Sequence, residues 1–412
     1  MGQDDWRRIY REIRRKLLTR GKGRIDRKLS EELSEKLDQM KRLFVRGVVG
    51  GELDKAYDWS MRLKEASKTL KRSLGLSEII FPRELRSFLE DPEAHLRKKL
   101  FIYAMDLARR RLSLKSFEEK AHRAIQTSLQ TNLRSIYQSW ILLVVLRYVA
   151  LDGGYLLYPE HGYLSLERSG KQRLASIPPN AIIETGGGAL SFFLEAPRPI
   201  AWEDTEDLRR VWKLYKAMRP DILVYGGRVM NIFEGEKDPP IKRPDVIIEC
   251  KELEDWHKRT RELKGDDKPL SAEEWRWMWL QGLWRGLGKE LGARIKPEEL
   301  EADQNKKIRL KEPELVKIYM KLYKPKEMIL ITRCETPMDV KEDLEAEGIE
   351  VIDDVQFDPR KLKGISEKLL DYATPIEDII ILRGELAKII RRKSKSLGKT
   401  PEELIWEAVK AF

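Results

Sequence analysis

The sequence predicts an α/β protein in which a mixed β-sheet is flanked by helices, between a basic all-helical N-terminal domain and a small C-terminal segment. Apolar residues recur at helical spacing through the first part of the chain, and short apolar runs separated by Gly and Pro follow. Strand patterns then alternate with helix patterns, which favours helices on the faces of a mixed sheet. Because 412 residues exceed one ordinary core, we expect three domains: 1–114, 115–370 and 371–412.

The N-terminal domain opens with two predicted helices, "WRRIYREIRRKLLTR" and "SEELSEKLDQMKRLF". In the first, Trp6, Ile9, Ile13 and Leu17 recur at the spacing of one helical face. The glycine-rich "GVVGGE" that follows the second helix predicts a hinge.

Positive charge is concentrated at this end of the chain. The whole protein carries 80 Lys and Arg against 69 Asp and Glu, a net charge of +11, and residues 1–72 carry 21 against 12, a net charge of +9. This asymmetry favours contact with the phosphates of nucleic acid. The first-helix residues predicted to make such contacts are Arg7, Arg8, Arg11, Arg14 and Arg15. A solvated helical surface is the alternative, and abundant Lys, Arg and Glu are also typical of thermophilic proteins.

Several classes of function are disfavoured by composition. Two cysteines and four scattered histidines offer neither a disulfide framework nor zinc-ligand spacing. The glycine run "TGGGAL" lacks the Gly-Lys-Ser/Thr ending of a phosphate loop, so we expect no nucleotide cofactor and read it as a hairpin turn. The apolar run "WILLVVLRYVAL" is too short to span a bilayer, and no signal peptide pattern precedes the first helix. We therefore expect a cytoplasmic protein with no membrane partner.

A long helix pattern from Leu112 to Leu151 leads into the predicted sheet. The first strand patterns are Tyr155–Tyr158, Tyr163–Glu167, Ala181–Thr185 and Leu190–Leu194. Later strands are predicted in "EMILITR" and "IEVIDDV", on either side of the helix pattern "MDVKEDLEAEG".

Two further strands begin with the same three residues, in "RPDILVYGG" and "RPDVIIECKE". Side chains alternate between the two faces of a strand, so Asp245, Ile247, Glu249 and Lys251 share one face of the second strand. Both faces are apolar in the middle, which predicts an internal strand with Glu249 and Lys251 at its far end.

Spacing decides which aspartate can pair with Glu249. Asp245 lies about 13 Å from it at about 3.3 Å per residue, whereas hard divalent cations bind carboxylate oxygens at about 2.0–2.5 Å. Asp221 begins the preceding strand, and neighbouring strands lie about 4.8 Å apart. We therefore predict that Asp221 and Glu249 form an acid pair on one metal ion, and that Asp245 only starts its strand.

The pattern of Pro220-Asp221, a spacer and then Glu249-Cys250-Lys251 resembles the motif of the PD-(D/E)xK nuclease superfamily. The resemblance covers roughly residues 112–373, and the helix pattern "SAEEWRWMWLQGLWRGLG" after the motif matches the family order. It implies a restriction-endonuclease-like fold and a metal-dependent phosphodiesterase.

The resemblance also implies roles for the motif residues. Asp221, Glu249 and the backbone carbonyl of Cys250 would hold Mg²⁺ or Mn²⁺, and Lys251 would orient the attacking water and offset developing charge. Gln281 corresponds to a glutamine often found on the following helix.

The family often adds a further acid, which the sequence leaves open. Glu119 on the preceding helix and the strand residues Glu184 and Glu195 are candidates, and Asp245 stays a possible accessory residue. Alternatively, Glu249 and Lys251 are a structural ion pair at a strand end and Asp221 is a turn residue.

The C-terminal segment resembles a ribbon–helix–helix module. A predicted strand, Asp378–Leu382, precedes a helix that ends before Gly398, and Thr400 caps a second helix with Pro401 in its first turn. The strand carries Ile379 and Ile381 where a base-reading strand carries polar groups, so dimerisation is favoured over base reading. The phosphate contacts predicted for this segment are Arg391, Arg392 and Lys393.

These observations predict a dimeric, Mg²⁺-dependent DNA endonuclease whose two sites cut two strands. The alternative is a non-catalytic DNA-binding or assembly protein with a decayed nuclease fold, and a third interpretation makes RNA the substrate.

Overall fold

The computed structural model of the protein describes residues 5–19, 27–151, 153–169, 177–196, 219–232, 242–262, 309–376 and 384–410. The predicted helix that carries Gln281 and the predicted ribbon strand Asp378–Leu382 lie outside the described residues.

The described N-terminal part is helical. Its helices are α1 (Asp5–Thr19), α2 (Arg27–Val49), α3 (Glu52–Leu74), α4 (Arg83–Glu90), α5 (Pro92–Lys99) and α6 (Phe101–Ala108). The glycine-rich break lies between α2 and α3, where Gly50 has a φ of +44°, a left-handed conformation that glycine adopts without a Cβ penalty. A short strand, β1 (Glu78–Ile80), pairs in parallel with β3 (Tyr163–Ser165).

The longest described helix, α7 (Leu114–Val149), has 36 residues and is about 54 Å long at about 1.5 Å per residue. Ser113 caps it by accepting a hydrogen bond from the backbone N–H of Ser116. Its apolar run from Trp140 to Leu146 is buried throughout, as predicted for a core helix. Among the described residues, no helix combines the length and the apolar composition that a bilayer crossing requires.

A seven-stranded mixed sheet forms the centre of the molecule. In chain order its strands are β2 (Tyr155–Tyr158), β4 (Ala181–Thr185), β5 (Gly188–Leu194), β6 (Ile222–Gly226), β7 (Val246–Lys251), β10 (Glu327–Thr332) and β11 (Ile349–Ile352). Their order across the sheet is β11-β10-β7-β6-β5-β4-β2, with β7, β10 and β11 parallel and the other pairs antiparallel. The hairpin predicted at "TGGGAL" is confirmed as the turn between β4 and β5.

Helices cover both faces of this sheet, which confirms the predicted α/β class. On one face, α7 and α10 (Lys363–Leu370) pack with residues such as Val246 and Ile248 in one hydrophobic core. On the other face, α8 (Glu312–Tyr323) and α9 (Met338–Glu345) pack in a second core with Ile247. A small antiparallel pair, β8 (Thr260–Glu262) and β9 (Arg309–Lys311), precedes α8.

The N-terminal helices and the sheet share their core. One hydrophobic cluster runs from Trp6 in α1 to Leu369 in α10, because α7 packs against α3 on one side and against the sheet on the other. Residues 1–374 accordingly form one compact unit and 375–412 a second. The predicted boundary at residue 114 therefore does not separate two compact units.

The second unit contains α11 (Gly384–Leu397) and α12 (Pro401–Lys410). Gly398 ends α11 with a φ of +66°. Thr400 caps α12 reciprocally: the backbone N–H of Glu403 donates to its Oγ1, and its own N–H donates to the Glu403 carboxylate at 2.8 Å.

Candidate active site

Asp221 and Glu249 lie side by side at the ends of neighbouring strands. In the antiparallel β6–β7 pair Ile222 is opposite Ile248, so Asp221, just before β6, faces Glu249 near the end of β7. The backbone N–H of Asp221 donates to Glu249 Oε2 at 3.1 Å, and the N–H of Cys250 donates to Asp221 Oδ2 at 2.8 Å. The pairing predicted from strand spacing is therefore present in the structure.

Both carboxylates are buried, because β6 and β7 are internal strands of the sheet. Asp221 is 3% exposed and Glu249 is 2% exposed. Burial and the neighbouring charge of Glu249 raise the pKa of Asp221 well above its ordinary value, although Arg134 and Lys251 act against this rise. In the absence of a further cation, this pair of carboxylates is electrostatically unfavourable.

Lys251 lies between two carboxylates. Its Nζ donates to Glu249 Oε1 at 2.9 Å and to Glu312 Oε2, at the start of α8, at 2.6 Å. Burial alone would lower the pKa of Lys251, but Glu249, Glu312 and Asp221 outweigh it and raise the pKa. The ammonium group therefore stays charged within the site.

Helix α7 contributes two polar residues to the same site. Gln138 is buried, and its Nε2 donates to Oδ1 and to the backbone oxygen of Asp221, both at 3.3 Å. Arg134 lies one helical turn earlier. Burial would lower its pKa, but the charges of Asp221, Glu195 and further carboxylates raise it.

Of the accessory acids, Glu195 lies at the site. It follows β5, and its backbone N–H donates to the Asp221 carbonyl at 2.9 Å. Its carboxylate forms an ion pair with Arg168, and its charge acts on both Asp221 and Arg134.

Two other accessory candidates lie at the opposite end of the sheet, so their suggested place in the site is wrong. The Asp245 carboxylate accepts a hydrogen bond from the Gly226 N–H at 2.8 Å and pairs with Lys326. Glu184 faces Ala189 in the β4–β5 hairpin, beside the Gly226 end of β6. The strand register explains the position of both residues, because Asp221 directly precedes β6 and Gly226 is the last residue of that strand.

The helix candidate Glu119 is also distant from the acid pair. It is exposed near the start of α7, and 19 residues of helix separate it from Gln138, about 28 Å at about 1.5 Å per residue. Gln281 lies outside the described residues.

The α1 arginines that were predicted to contact phosphates differ in their exposure. Arg8, Arg11 and Arg15 are exposed, and Arg14 is half-buried. Arg7 instead joins α1 to α7, since its guanidinium donates to the Glu118 carboxylate at 2.6 Å. In the second unit the exposed residues of α11 include Arg391, Arg392 and Lys393.

The donor set suits a hard divalent cation in its chemistry. Two carboxylates meet, and the Cys250 carbonyl points to the Asp221 side of β7, because the N–H and C=O of one residue in an extended strand point the same way. The acidic residues whose charges act on this group are Asp221, Glu249, Glu195, Glu252 and Glu312. The basic residues near them are Lys251, Arg134 and Arg168, and Arg168 is paired to Glu195. Acidic residues therefore outnumber basic residues at the site.

A metal ion would nevertheless need ligands beyond the side chains. Over the described ranges, no group of three His, Cys, Asp or Glu residues is arranged to hold a metal ion. The two carboxylates and the Cys250 carbonyl therefore leave positions for water or substrate oxygens. Burial raises the pKa of the Cys250 thiol well above its ordinary value, so the thiol itself is not a ligand without a strong driving force.

Three site residues were not predicted from the sequence: Arg134, Gln138 and Glu312. The sequence does single out Gln138, because its amide side chain lies just before the apolar run of α7. Glu312 follows Lys251 by 61 residues and has no local pattern that connects it to the motif.

Comparisons of the chain with models of known protein families, with curated protein sequences and with solved structures gave no match.

Proposed function

We propose that this protein is a metal-dependent DNA endonuclease with a restriction-endonuclease-like core. The observation that carries the proposal is the meeting of the Asp221 and Glu249 carboxylates on adjacent buried strands, with the Lys251 ammonium 2.9 Å from Glu249. The mixed sheet between helical layers and the positive net charge of +11 support the same interpretation.

In this proposal each residue has a distinct task. Asp221, Glu249 and the Cys250 carbonyl hold Mg²⁺ or Mn²⁺, which supplies Lewis acidity and lowers the pKa of water when bound. Lys251 orients the attacking water and offsets the charge that develops on the phosphate. Gln138 positions Asp221 through its amide, and it acts only through that carboxylate.

The first test is metal dependence. We expect the full-length protein to cleave supercoiled plasmid or branched DNA in Mg²⁺, and EDTA to abolish cleavage, because the metal ion would supply the Lewis acidity at the phosphate. Gel analysis of the products in Mg²⁺, Mn²⁺ and EDTA measures the metal dependence of cleavage. The same assay with RNA of the same sequence tests whether RNA is a substrate. Equal cleavage in EDTA would remove the metal from the proposal.

A second candidate is a non-catalytic DNA-binding or assembly protein. The ion pair of Lys251 with Glu312, at 2.6 Å, favours it, because that pair gives Lys251 a structural partner. Binding of DNA without cleavage under any metal condition would support this candidate.

We also propose that the second unit forms a homodimer. Its apolar residues Leu386, Ile389, Trp406 and Val409 are 47–63% exposed, more than solvated helices of a monomer ordinarily leave open. We expect Ile389→Asp to raise the dimer dissociation constant at least about 100-fold, since a buried charge would replace an apolar contact in both copies.

Light scattering at a series of protein concentrations measures the dimer. Lys395→Asp, an exposed position on the opposite face of the same helix, is the matched control and should leave the mass unchanged. A monomeric wild-type protein at all concentrations would contradict this proposal.

A further inference from the structure

A groove runs along α7 and ends beside Gln138, which contacts the acid pair. Its volume is about 1130 Å³, and its floor is one face of α7. The floor residues, in order from the outer end, are Lys120, Arg123, Thr127, Thr131, Ser135 and Gln138. At the inner end Gln138, Glu195 and Arg219 line it, and Gln138 contacts Asp221 directly. Gln138 is therefore the residue that connects the groove to the candidate active site.

The dimensions of the groove limit what can enter. From Lys120 to Gln138 the helix rises about 27 Å, so a volume of 1130 Å³ corresponds to a mean cross-section of about 40 Å². A nucleic-acid duplex is far wider than such a groove, so a single strand fits into it better than a duplex does.

The chemistry of the lining favours a nucleic-acid strand over an extended peptide. The floor of the groove offers no free strand edge, because the backbone of α7 is hydrogen-bonded within the helix, and peptides in extended form bind mainly through such edges. Its floor instead presents the exposed side chains of Lys120, Arg123, Thr127 and Thr131, which are typical phosphate-contacting types. Tyr103 on one wall offers a ring on which a base can stack.

The charge of the lining residues changes along the groove from its outer to its inner end. Among the acidic lining residues, Glu84 is paired with Lys99 and Glu195 with Arg168. Within the described part of the chain, Lys120 and Arg123 at the outer end form no ion pair. Positive charge is therefore available where a strand would enter, and negative charge increases toward the metal-binding carboxylates.

We propose that this groove binds one unpaired DNA strand and leads it to the Asp221–Glu249 pair, so that the substrate contains a single-stranded segment. The inference rests on the proposed nuclease function and specifies its substrate class. About 27 Å of groove corresponds to on the order of five nucleotides, within the range of single-strand binding sites.

Binding can be tested separately from cleavage. Fluorescence anisotropy in EDTA measures the affinity of the full-length protein for a labelled single-stranded DNA oligonucleotide and for the matching blunt duplex. We expect the single strand to bind at least about tenfold more tightly. The double variant Lys120→Glu/Arg123→Glu should weaken single-strand binding at least about tenfold and reduce the salt slope of log K by about 1.4, for two lost phosphate contacts.

Two matched controls distinguish the effect of lost groove contacts from the effects of net charge and of side-chain size. Lys64→Glu/Lys68→Glu reverses the same charge on the exposed face of α3 and should leave the salt slope unchanged. Thr127→Glu/Thr131→Glu should weaken binding, whereas Thr127→Gln/Thr131→Gln, of equal size but neutral, should not. Circular dichroism verifies that each variant is folded.

Several outcomes would overturn the inference. These are equal binding of duplex and single strand, single-strand binding that survives both groove variants, or binding of an RNA oligonucleotide in preference to DNA. Single-strand binding through the groove without any cleavage in Mg²⁺ would instead refute the proposed function alone.

Discussion

Asp221→Asn should lower the DNA cleavage rate by about 10³-fold, equivalent to about 4 kcal/mol of transition-state stabilisation. The reason is that a neutral amide replaces one of the two carboxylates that meet at the site, while the hydrogen bond from the Cys250 N–H to the side-chain oxygen can persist. Initial rates of plasmid nicking in Mg²⁺ measure the effect.

The same substitution at the other Arg-Pro-Asp is the matched control. Asp245→Asn changes the start of β7, where the carboxylate contacts the Gly226 N–H and Lys326 rather than the site. We expect it to keep cleavage within about threefold and to cost at most about 1 kcal/mol of stability, the usual value of an exposed ion pair. Equal loss of cleavage in both variants would contradict the assignment of Asp221.

Asp221→Asn should also stabilise the metal-free protein at neutral pH. The pKa of Asp221 is raised in the folded protein by burial and by Glu249, so the folded state holds a proton that the unfolded state releases. The stability of the wild type in EDTA therefore falls as pH rises from its ordinary value near 3.9 through the raised folded value. The variant lacks this loss, so its stability advantage over the wild type should grow as pH rises through that range and vanish at low pH.

Thermal unfolding in EDTA from acidic to neutral pH measures that difference. Adding Mg²⁺ should raise the melting temperature of the wild type and not that of Asp221→Asn, because a ligand that binds only the folded state stabilises it. If Mg²⁺ does not change the melting temperature of the wild type, the acid pair does not bind the metal.

Lys251→Met should abolish detectable cleavage and cost about 3–5 kcal/mol of folding free energy. The substitution leaves Glu249 and Glu312 buried or half-buried without the ammonium that both contact at 2.6–2.9 Å. Denaturant unfolding at pH 7 and plasmid cleavage measure the two effects, and Lys326→Met, which breaks the exposed pair with Asp245, is the mild control.

A second substitution separates stability from catalysis. Lys251→Met/Glu312→Gln removes one uncompensated carboxylate, so it should recover part of the lost stability but none of the cleavage. Recovery of cleavage by this double variant would mean that Lys251 only holds the fold together, which is the role of a structural ion pair.

The acid pair could be predicted from the sequence because it depends on two simple regularities. The rise per residue along a strand separates Asp245 from Glu249 by about 13 Å and excluded it as the partner, and adjacent strands lie close enough for Asp221. The β6–β7 register realises this pairing. Glu184 and Glu195 could not be separated in this way, since only the register of the β4–β5 hairpin places them at opposite ends of the sheet.

The rest of the site depended on long-range packing. Arg134 and Gln138 reach the acid pair because one face of α7 packs on the sheet, and the helical pattern alone does not say which element covers which face. The shared core of the N-terminal helices and α7 depends on the same kind of packing, because these helices complete the hydrophobic surface of α7.

The length of α7 has a consequence for the proposed cleavage. One uninterrupted helix carries both the outer cations of the groove and the glutamine that contacts Asp221, so helical geometry fixes the distance between them. In the proposed nuclease, that distance of about 27 Å would separate the point where a strand is held from the point where it is cut.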